Sequence, residues 1–286
     1  MQVSIDPGAL YVVATPIGNL GDFSPRGREV LAGVDLIAAE DTRHTRELLA
    51  HFDIHTPLVA LHAHNEAGAA AELLAPLAGG GTLALVCDAG TPAISDPGER
   101  IVALAHARGV RVIPVPGASA VVCALSACGL PTGRFAFEGF LPARAAARRT
   151  LLESLREERR TLVFYEAPHR LAASLSDLAE LFGAARPAAL ARELTKRFET
   201  VRRATLGELN AWVADDPGQC RGEVVILVAG APEAARATDE AELRRVLTVL
   251  LDELPLKRAV AAAAALTGAP RNRTYEVALE LRRPAE

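Results

Sequence analysis

Residues 82–116 read TLALVCDAGTPAISDPGERIVALAHARGVRVIPVP, and this stretch decides the fold. An apolar run at 82–87 passes into a loop of small and acidic residues, a helical pattern follows over 97–108, and a second apolar run closes the unit at 110–115. Two short strand-like runs joined through a helix form a βαβ unit, whose strands are parallel because the crossover returns the chain to the same end of the sheet. The alternation extends upstream, with runs at 10–14, 34–39 and 58–62 separated by helix-like stretches at 42–52 and 66–78. Strands alternating with helices define the α/β class with a mostly parallel sheet, so residues 1–115 are expected to form an N-terminal α/β lobe.

Downstream of Pro116 the alternation resumes. Runs at 161–166, 188–193 and 223–229, with helices at 118–128, 143–158 and 170–182, predict a second α/β lobe over residues 116–232. Pro114 and Pro116 break the chain at the boundary, and turn residues cluster at 130–133. Ligands of such sheets bind beyond the carboxyl ends of the strands, which directs attention to the loops after each run and to a cleft between the lobes. After Gly230 only helical patterns remain, giving a small all-helical appendage over 238–286. It has an acidic first turn with Thr238, Glu240 and Glu242, a stop at Pro255, a second helix at 256–266 ended by Gly268, and a third at 271–281.

Charge and composition exclude several classes. The chain has 286 residues and a net charge of −4, so it does not coat nucleic acid nonspecifically, which takes many Lys and Arg contacts to phosphates. Its tail differs: from Pro255 onward six basic residues (Lys257, Arg258, Arg271, Arg273, Arg282, Arg283) outnumber three acidic ones (Glu276, Glu280, Glu286), a net +3. That segment is a candidate RNA contact, with a solvated helical cap as the plainer alternative. No apolar run approaches the roughly 18 residues of a membrane span, and no basic-then-apolar leader opens the sequence. Cys87, Cys123, Cys128 and Cys220 form no CxxC pair and read as reduced thiols of a cytoplasmic protein.

Three loops carry candidate chemistry. Residues 15–22, TPIGNLGD, end the first run with Gly18 and Gly21, which permit close backbone approach. Residues 87–98, CDAGTPAISDPG, hold Asp88, Thr91, Ser95 and Asp96 among small side chains. Ser95 or Asp96 suits the cap of the helix beginning at Pro97, whereas Asp88 and the backbone at Gly90 suit recognition of a polar small molecule. Residues 116–120, PGASA, open an Ala-rich helix with small side chains that accept either an adenosine-like ligand or a tightly packed lobe. Other polar clusters end strands at 40–44, 62–66, 165–170 and 192–196. His62 and His64 with Glu66 lack a clear third ligand, so no metal is expected, and no nucleophile elbow or P-loop is present.

Taken together, LYVVATPIGNLGD, VDLIAAEDTRHT, ALHAHNE, CDAGTPAISDPG, VIPVPGASA, FEGFLP, TLVFYEAPHRL, ARELTKRFET, GEVVILVAG and DELPLKRAVAAAAALTGAPRNRTYEVAL resemble the tetrapyrrole-methylase superfamily, and within it the branch acting on small-subunit ribosomal RNA. The resemblance runs from Leu10 to Leu279, departing at Cys87, where a serine is common. It implies two α/β lobes with S-adenosylmethionine folded between them. It also implies methylation of the ribose 2′-OH of a cytidine in the decoding region of 16S rRNA, by a cytoplasmic homodimer. Cofactor contacts are then expected at Pro16, Gly18, Asp88, Ala89, Gly90, Thr91, Ile94, Ser119, Ala120, Phe164, Tyr165, Arg192, Glu193, Gly222 and Glu223.

A ribose hydroxyl must lose its proton as the new bond forms. Glu40, Asp41, Glu66, Glu166, Glu193 and Lys196 all lie in strand-end loops, and the expectation falls on Glu166, Glu193 and Lys196, with ion pairing to Arg43, Arg170 or Arg192 as the equal alternative. Arg43, Arg46 and Arg170, with Lys257, Arg258, Arg271 and Arg273 in the tail, are expected to hold RNA. Two rival readings share parts of the pattern: a corrinoid or porphyrin precursor methylase, and a non-catalytic RNA-binding ribosome-assembly factor. The basic tail and the EDTRHT and HNE clusters favour RNA over a macrocycle, and the full set of cofactor loops favours an enzyme.

Overall fold

In β1 (Ala9–Val13) the side chains alternate between two cores, Ala9, Tyr11 and Val13 packing to one side and Leu10 and Val12 to the other. A strand covered on both faces belongs inside a parallel sheet. The computed structural model, which describes residues 4–63, 65–232 and 240–282, builds that sheet from β3 (Leu58–Ala60), β2 (Leu36–Ala39), β4 (Leu83–Val86), β1 and β5 (Arg111–Val115) in that order, every pair parallel. Around it lie α1 (Pro25–Gly33), α2 (Thr42–His51), α3 (Glu66–Leu74) and α4 (Glu99–Ala107). The sequence reading passes over α1, although Ser24 caps it by accepting from the Gly27 amide and Pro25 occupies its first turn.

In this order β4 lies beside β1, yet β1 connects toward β2 and β4 crosses to β5. Connections leaving adjacent strand ends in opposite directions open a crevice between them, the usual place for a ligand. The crevice is shaped by a cap that differs from expectation. Neither Ser95 nor Asp96 caps α4, which starts two residues later, behind Gly98 at φ +134°. The Glu66 carboxylate, only 5% exposed, accepts instead from the amides of Arg100 at 2.9 Å and Ile101 at 3.1 Å. Glu66 is thereby committed to structure, and Asp96 is released from it.

The second sheet departs from the expected parallel arrangement. Its strands are β6 (Phe135–Phe140), β7 (Thr161–Glu166), β10 (Val224–Val228), β8 (Pro187–Arg192) and β9 (Thr200–Thr205) in that order, and only β6 with β7 is parallel. The connection 193–199 is shorter than the dozen or so residues a parallel crossover needs, so β8 and β9 must pair antiparallel. On one face α5 (Ala120–Ala127) packs through Val121, Ala124 and Leu125 against Val163, Ala191 and Val225. On the other, Leu162, Phe164 and Ile226 meet α6 (Ala145–Leu155), α7 (Leu171–Phe182) and α8 (Leu206–Asp215). All five β10 residues are buried, each apolar side chain contributing about 1.5–3 kcal/mol.

Both lobes belong to one compact unit ending at Gly230, and the chain from Ala231 forms another. Within the latter, α9 (Glu240–Glu253), α10 (Leu256–Thr267) and α11 (Arg271–Arg282) enclose Leu243, Leu247, Val260, Ala263, Val277 and Ala278. Thr238, Arg283 and Glu286 lie outside the described residues, as does His64. Cys87 and Cys128 are buried, Cys123 and Cys220 are partly covered, and all four are free thiols. Among the described residues no helix is long and apolar enough to cross a membrane.

Candidate active site

Backbone bonds draw the three loops singled out in the sequence into one wall. Thr15 and Gly90 exchange both backbone bonds, at 2.8 and 3.1 Å, and the Thr15 hydroxyl donates to the Cys87 carbonyl at 3.2 Å. The Thr91 hydroxyl donates to the Ala118 carbonyl at 3.2 Å, and Gly117 passes so close to Ala14 that a Cβ would meet its methyl at 2.9 Å. These ties border a cavity of about 410 Å³ that opens between the lobes, within the usual range of small-molecule sites.

The first lobe presents Glu40, Asp88 and Asp96 to this cavity, together with Ile17, Ala89, Gly90, Thr91 and Ile94. None of the three carboxylates forms an ion pair among the described residues. Asp88 accepts from the Asp41 amide at 3.0 Å. Burial, followed by the charges of Asp88 and Asp96, pushes the Glu40 carboxyl above its ordinary range. Burial and then Asp88 likewise raise Asp96, although a hydrogen bond from the Cys87 thiol works the other way. The Cys87 thiol is itself held protonated, first by burial and then by the Asp96 charge. Ser95 and Ala93 flank this segment at φ +65° and +67°, so the loop holding Asp96 keeps a backbone that ordinary side chains rarely adopt.

On the second-lobe side, every carboxylate lining the cavity meets a cation. Glu166, its side chain 1% exposed, receives Arg170 Nη2 at 2.7 Å, the Ala167 amide at 2.8 Å and the Ser174 hydroxyl. Glu223 lies 3.2 Å from Lys196 Nζ, which also reaches Glu193 at 3.1 Å. Burial is the largest single influence on both Glu193 and Lys196 and opposes their charges, but their mutual hydrogen bond, the bonds from Glu223 and the neighbouring opposite charges together outweigh it. Glu193 therefore stands below the ordinary carboxyl range and Lys196 above the ordinary amine range. A lysine held as a cation is no proton acceptor, and a carboxylate whose oxygens are all engaged is a poor one. Glu166 thus has both oxygens engaged, Glu193 meets Lys196 and the Glu223 amide through Oε1, and Lys196 is shared between Glu193 and Glu223. Lys196 also bridges the lobes: its side chain lies over Gly18, where a Cβ would meet Cγ at 2.5 Å.

Of the expected cofactor residues, Asp88, Ala89, Gly90, Thr91, Ile94, Ser119, Ala120, Tyr165 and Glu223 line the cavity. Phe164 does not; it is fully buried in the opposite core because it alternates with Tyr165. Pro16, Gly18, Arg192, Glu193 and Gly222 lie outside the lining, with Arg192 Nη1 bonded to the carbonyls of Gly218 and Arg221. Ile17, Phe140, Ala167, Pro168, Leu194, Val224 and Val225 also line the walls and are not among the expected contacts; Phe140 is visible in sequence only as part of FEGFLP.

The arginines expected to hold RNA divide into two groups. Arg43 is paired with Asp41 at 2.7 Å, Arg170 with Glu166, and Arg273 with Glu240 and Glu276 at 3.0 Å. Arg170 and Arg273 thus support their own folds. Arg46, Lys257, Arg258 and Arg271 are exposed and make no ion pair among the described residues.

The architecture is thus a two-lobed α/β fold, one sheet parallel and one mixed, with a carboxylate-bearing small-molecule cavity between the lobes. The sequence profile of the Tetrapyrrole (Corrin/Porphyrin) Methylases matches residues 9–210, and that of the RsmI C-terminal HTH domain matches residues 237–282. Solved structures share the fold. Diphthine synthase aligns with a TM-score of 0.59 at 18% identity over 77% of this chain and 90% of its own. The uroporphyrin-III-C-methyltransferase of Thermus thermophilus aligns at 0.55 and 23% over 78% and 95%. The ribosomal RNA small subunit methyltransferase I of Pseudomonas aeruginosa is 57% identical over 96% of this chain and 97% of that protein, and its Escherichia coli O157:H7 counterpart is 51% identical over 96% and 95%. The chain belongs to the tetrapyrrole methylase family, in the branch of the ribosomal RNA small subunit methyltransferases I.

Proposed function

We propose that this protein transfers a methyl group from S-adenosylmethionine to the ribose 2′-oxygen of a cytidine in the decoding region of 16S rRNA. The observation that carries the reading is the cavity itself. The small residues Ala89, Gly90, Thr91, Ser119 and Ala120 line it, and among the described residues its three first-lobe carboxylates form no ion pair. Such a site fits a nucleoside carrying positive charge, and S-adenosylmethionine has both a sulfonium and an ammonium. Bound there, it supplies an electrophilic methyl group. Asp88, Thr91 and the backbone around Gly90 hold it from the first lobe, and Ser119, Ala120, Tyr165 and Glu223 hold it from the other side.

The protein's own groups then orient the acceptor and remove its proton. Asp96 is the proton acceptor in this reading, because it faces the cavity with a carboxyl raised by burial and is not neutralised by a lysine or arginine. Glu40 keeps a second negative charge beside it. The Lys196 bridge fixes the second lobe against Gly18, so that acceptor and donor meet at a set distance; positioning of this kind supplies up to about 7–11 kcal/mol of the barrier reduction.

The helical unit is read as an RNA contact, through Lys257, Arg258 and Arg271. Replacing all three with alanine is expected to lower the slope of log affinity for the RNA against log salt by about 2, at roughly 0.7 per lost phosphate contact on single strands. A cytoplasmic location and a symmetric dimer follow from the resemblance, and light scattering tests the latter. The reaction is tested by incubating the protein with labelled S-adenosylmethionine and small ribosomal subunits lacking the modification, then digesting the RNA for mass spectrometry. 2′-O-methylcytidine at one decoding-region position is the expected product. Label entering a tetrapyrrole precursor and no RNA would overturn the reading in favour of a macrocycle methylase.

A further inference from the structure

Strand β6 carries an irregularity beside the cavity. The strand pairs with β7 in step from Phe135↔Thr161 to Phe137↔Val163, then shifts: Gly139 faces Phe164 and Phe140 faces Tyr165, leaving Glu138 as an extra residue. A bulge of this kind re-aims the side chains that follow it. Alternation would carry Phe140 to the face opposite Phe137; the added residue returns it to the same face. Gly139 makes the turn at φ +69°, and the Ser95 hydroxyl oxygen lies 3.1 Å from where its Cβ would stand. The bulge is therefore seated against the loop that carries Asp96.

Three aromatic rings consequently gather on the cavity side. Phe137 meets Tyr165 edge-on at 4.8 Å between centroids, and Phe140 lies tilted against Tyr165 at 5.4 Å. Tyr165 is partly buried, and burial followed by the nearby Asp96 charge pushes its hydroxyl up to about 12. Phe140 is 53% exposed and lines the cavity. A half-exposed phenyl ring backed by a fixed aromatic ring, beside a proton acceptor, is a surface made for another flat ring.

We propose that Phe140, backed by Tyr165, is the stacking platform for the base of the target nucleotide, and so a positioning residue of the methyl transfer. This rests on the RNA methylation reading above. A ribose in a base-paired strand cannot enter a cavity of this size, and extruded bases are held by stacking on aromatic side chains. Phe140 comes from β6 of the second lobe, whereas the small-residue loops at 88–91 and 119–120 that suit the cofactor come from other elements of the same lining. With the base laid on Phe140, its ribose is directed toward Asp96.

The test compares Phe140→Ala, Phe140→Leu, Phe140→Trp and, as a control on the same strand, Phe135→Ala, since Phe135 is also exposed. Methyl transfer to small subunits is followed as kcat and KM, cofactor affinity by calorimetry, and folding by thermal unfolding. Phe140→Ala is expected to raise KM for the subunit roughly 5- to 150-fold, the value of stacking one base. Cofactor affinity and Tm should stay at wild-type values, Phe140→Trp should restore KM, Phe140→Leu should not, and Phe135→Ala should match wild type. The platform is overturned if Phe140→Leu performs as well as Phe140→Trp, if Phe140→Ala leaves KM unchanged, or if cofactor affinity falls in step with KM. Wild-type protein that labels no small-subunit RNA would remove the underlying reading as well, an outcome separate from an active wild type with an indifferent Phe140.

Discussion

The two sides of the cavity treat their carboxylates in opposite ways. Glu40, Asp88 and Asp96 on the first lobe form no ion pair among the described residues, and burial raises Glu40 and Asp96. Glu166, Glu193 and Glu223 on the second lobe are held by Arg170 or Lys196. An unpaired, partly buried charge costs stability and persists where chemistry uses it, whereas a paired one maintains shape. Polar residues in strand-end loops look alike in sequence, and only their partners in the fold separate the two sides.

The most severe test of that division is Asp96→Asn. Loss of a general base typically costs 10² to 10⁴ in rate, and kcat for methyl transfer is expected to fall by roughly that factor while cofactor affinity changes little. A variant retaining most of its kcat would move the proton acceptor elsewhere, with Glu40 next in line. Glu166→Ala should show the reverse profile. It strands Arg170, whose side chain is 19% exposed and whose Nε already lacks a partner, and breaking such a pair costs about 3–5 kcal/mol. Denaturant unfolding should report that loss, and the residual rate of the folded fraction should lie far above that of Asp96→Asn.

How far the sequence carried this distinction is seen residue by residue. The first lobe was legible because its strands are buried on both faces and read as continuous apolar runs separated by helices. In the second lobe, β9 reads TVRRAT with Arg202 and Arg203 exposed, an edge strand without an apolar run, so both it and the antiparallel pairing escaped notice. The cavity loops at 87–98 and 116–120 were found because glycine and small residues at strand ends have few other uses. The role of Asp96 was misread because helix caps are normally local, whereas here the cap comes from Glu66, some thirty residues upstream. For Glu166, Glu193 and Lys196 the sequence leaves base and ion-pair partner equally open, because ion pairing is a matter of three-dimensional proximity. Phe140 was hidden by the bulge, since alternation alone puts it on the wrong face.

A smaller effect sharpens the second-lobe half of the comparison. Gly222 adopts φ +75°, and a Cβ there would overlap the Glu193 carboxylate. Gly109 has a similar φ of +70° with open space around it. Each alanine variant bears the conformational cost of a left-handed backbone, roughly 1–2 kcal/mol, but only Gly222→Ala also displaces Glu193 from Lys196. Thermal unfolding should therefore show Gly222→Ala as the less stable of the two, and methyl transfer should fall in that variant alone. Equal losses would mean that the Glu193–Lys196 pair adds nothing beyond the strain.

The smallest effect is a difference in sign with pH. Asp96 has a folded-state pKa above its unfolded value, so its ionised form is disfavoured by folding. The resulting cost is fully present at neutral pH and disappears as pH falls through the raised value toward the ordinary one near 3.9. Asp96→Asn should accordingly raise Tm at pH 7.5, by on the order of 1–2 °C after solvent screening of a half-buried group, and lose that advantage by about pH 4. Glu193 is shifted down, so its stabilisation is present above the ordinary carboxyl value near 4.3 and is lost as pH falls below it. Glu193→Gln should lower Tm at pH 7.5 and converge with wild type in acid. Curves of Tm against pH that bend in the same direction for both variants would abolish the contrast between the two sides; curves of opposite sign would make it a thermodynamic property of the cleft.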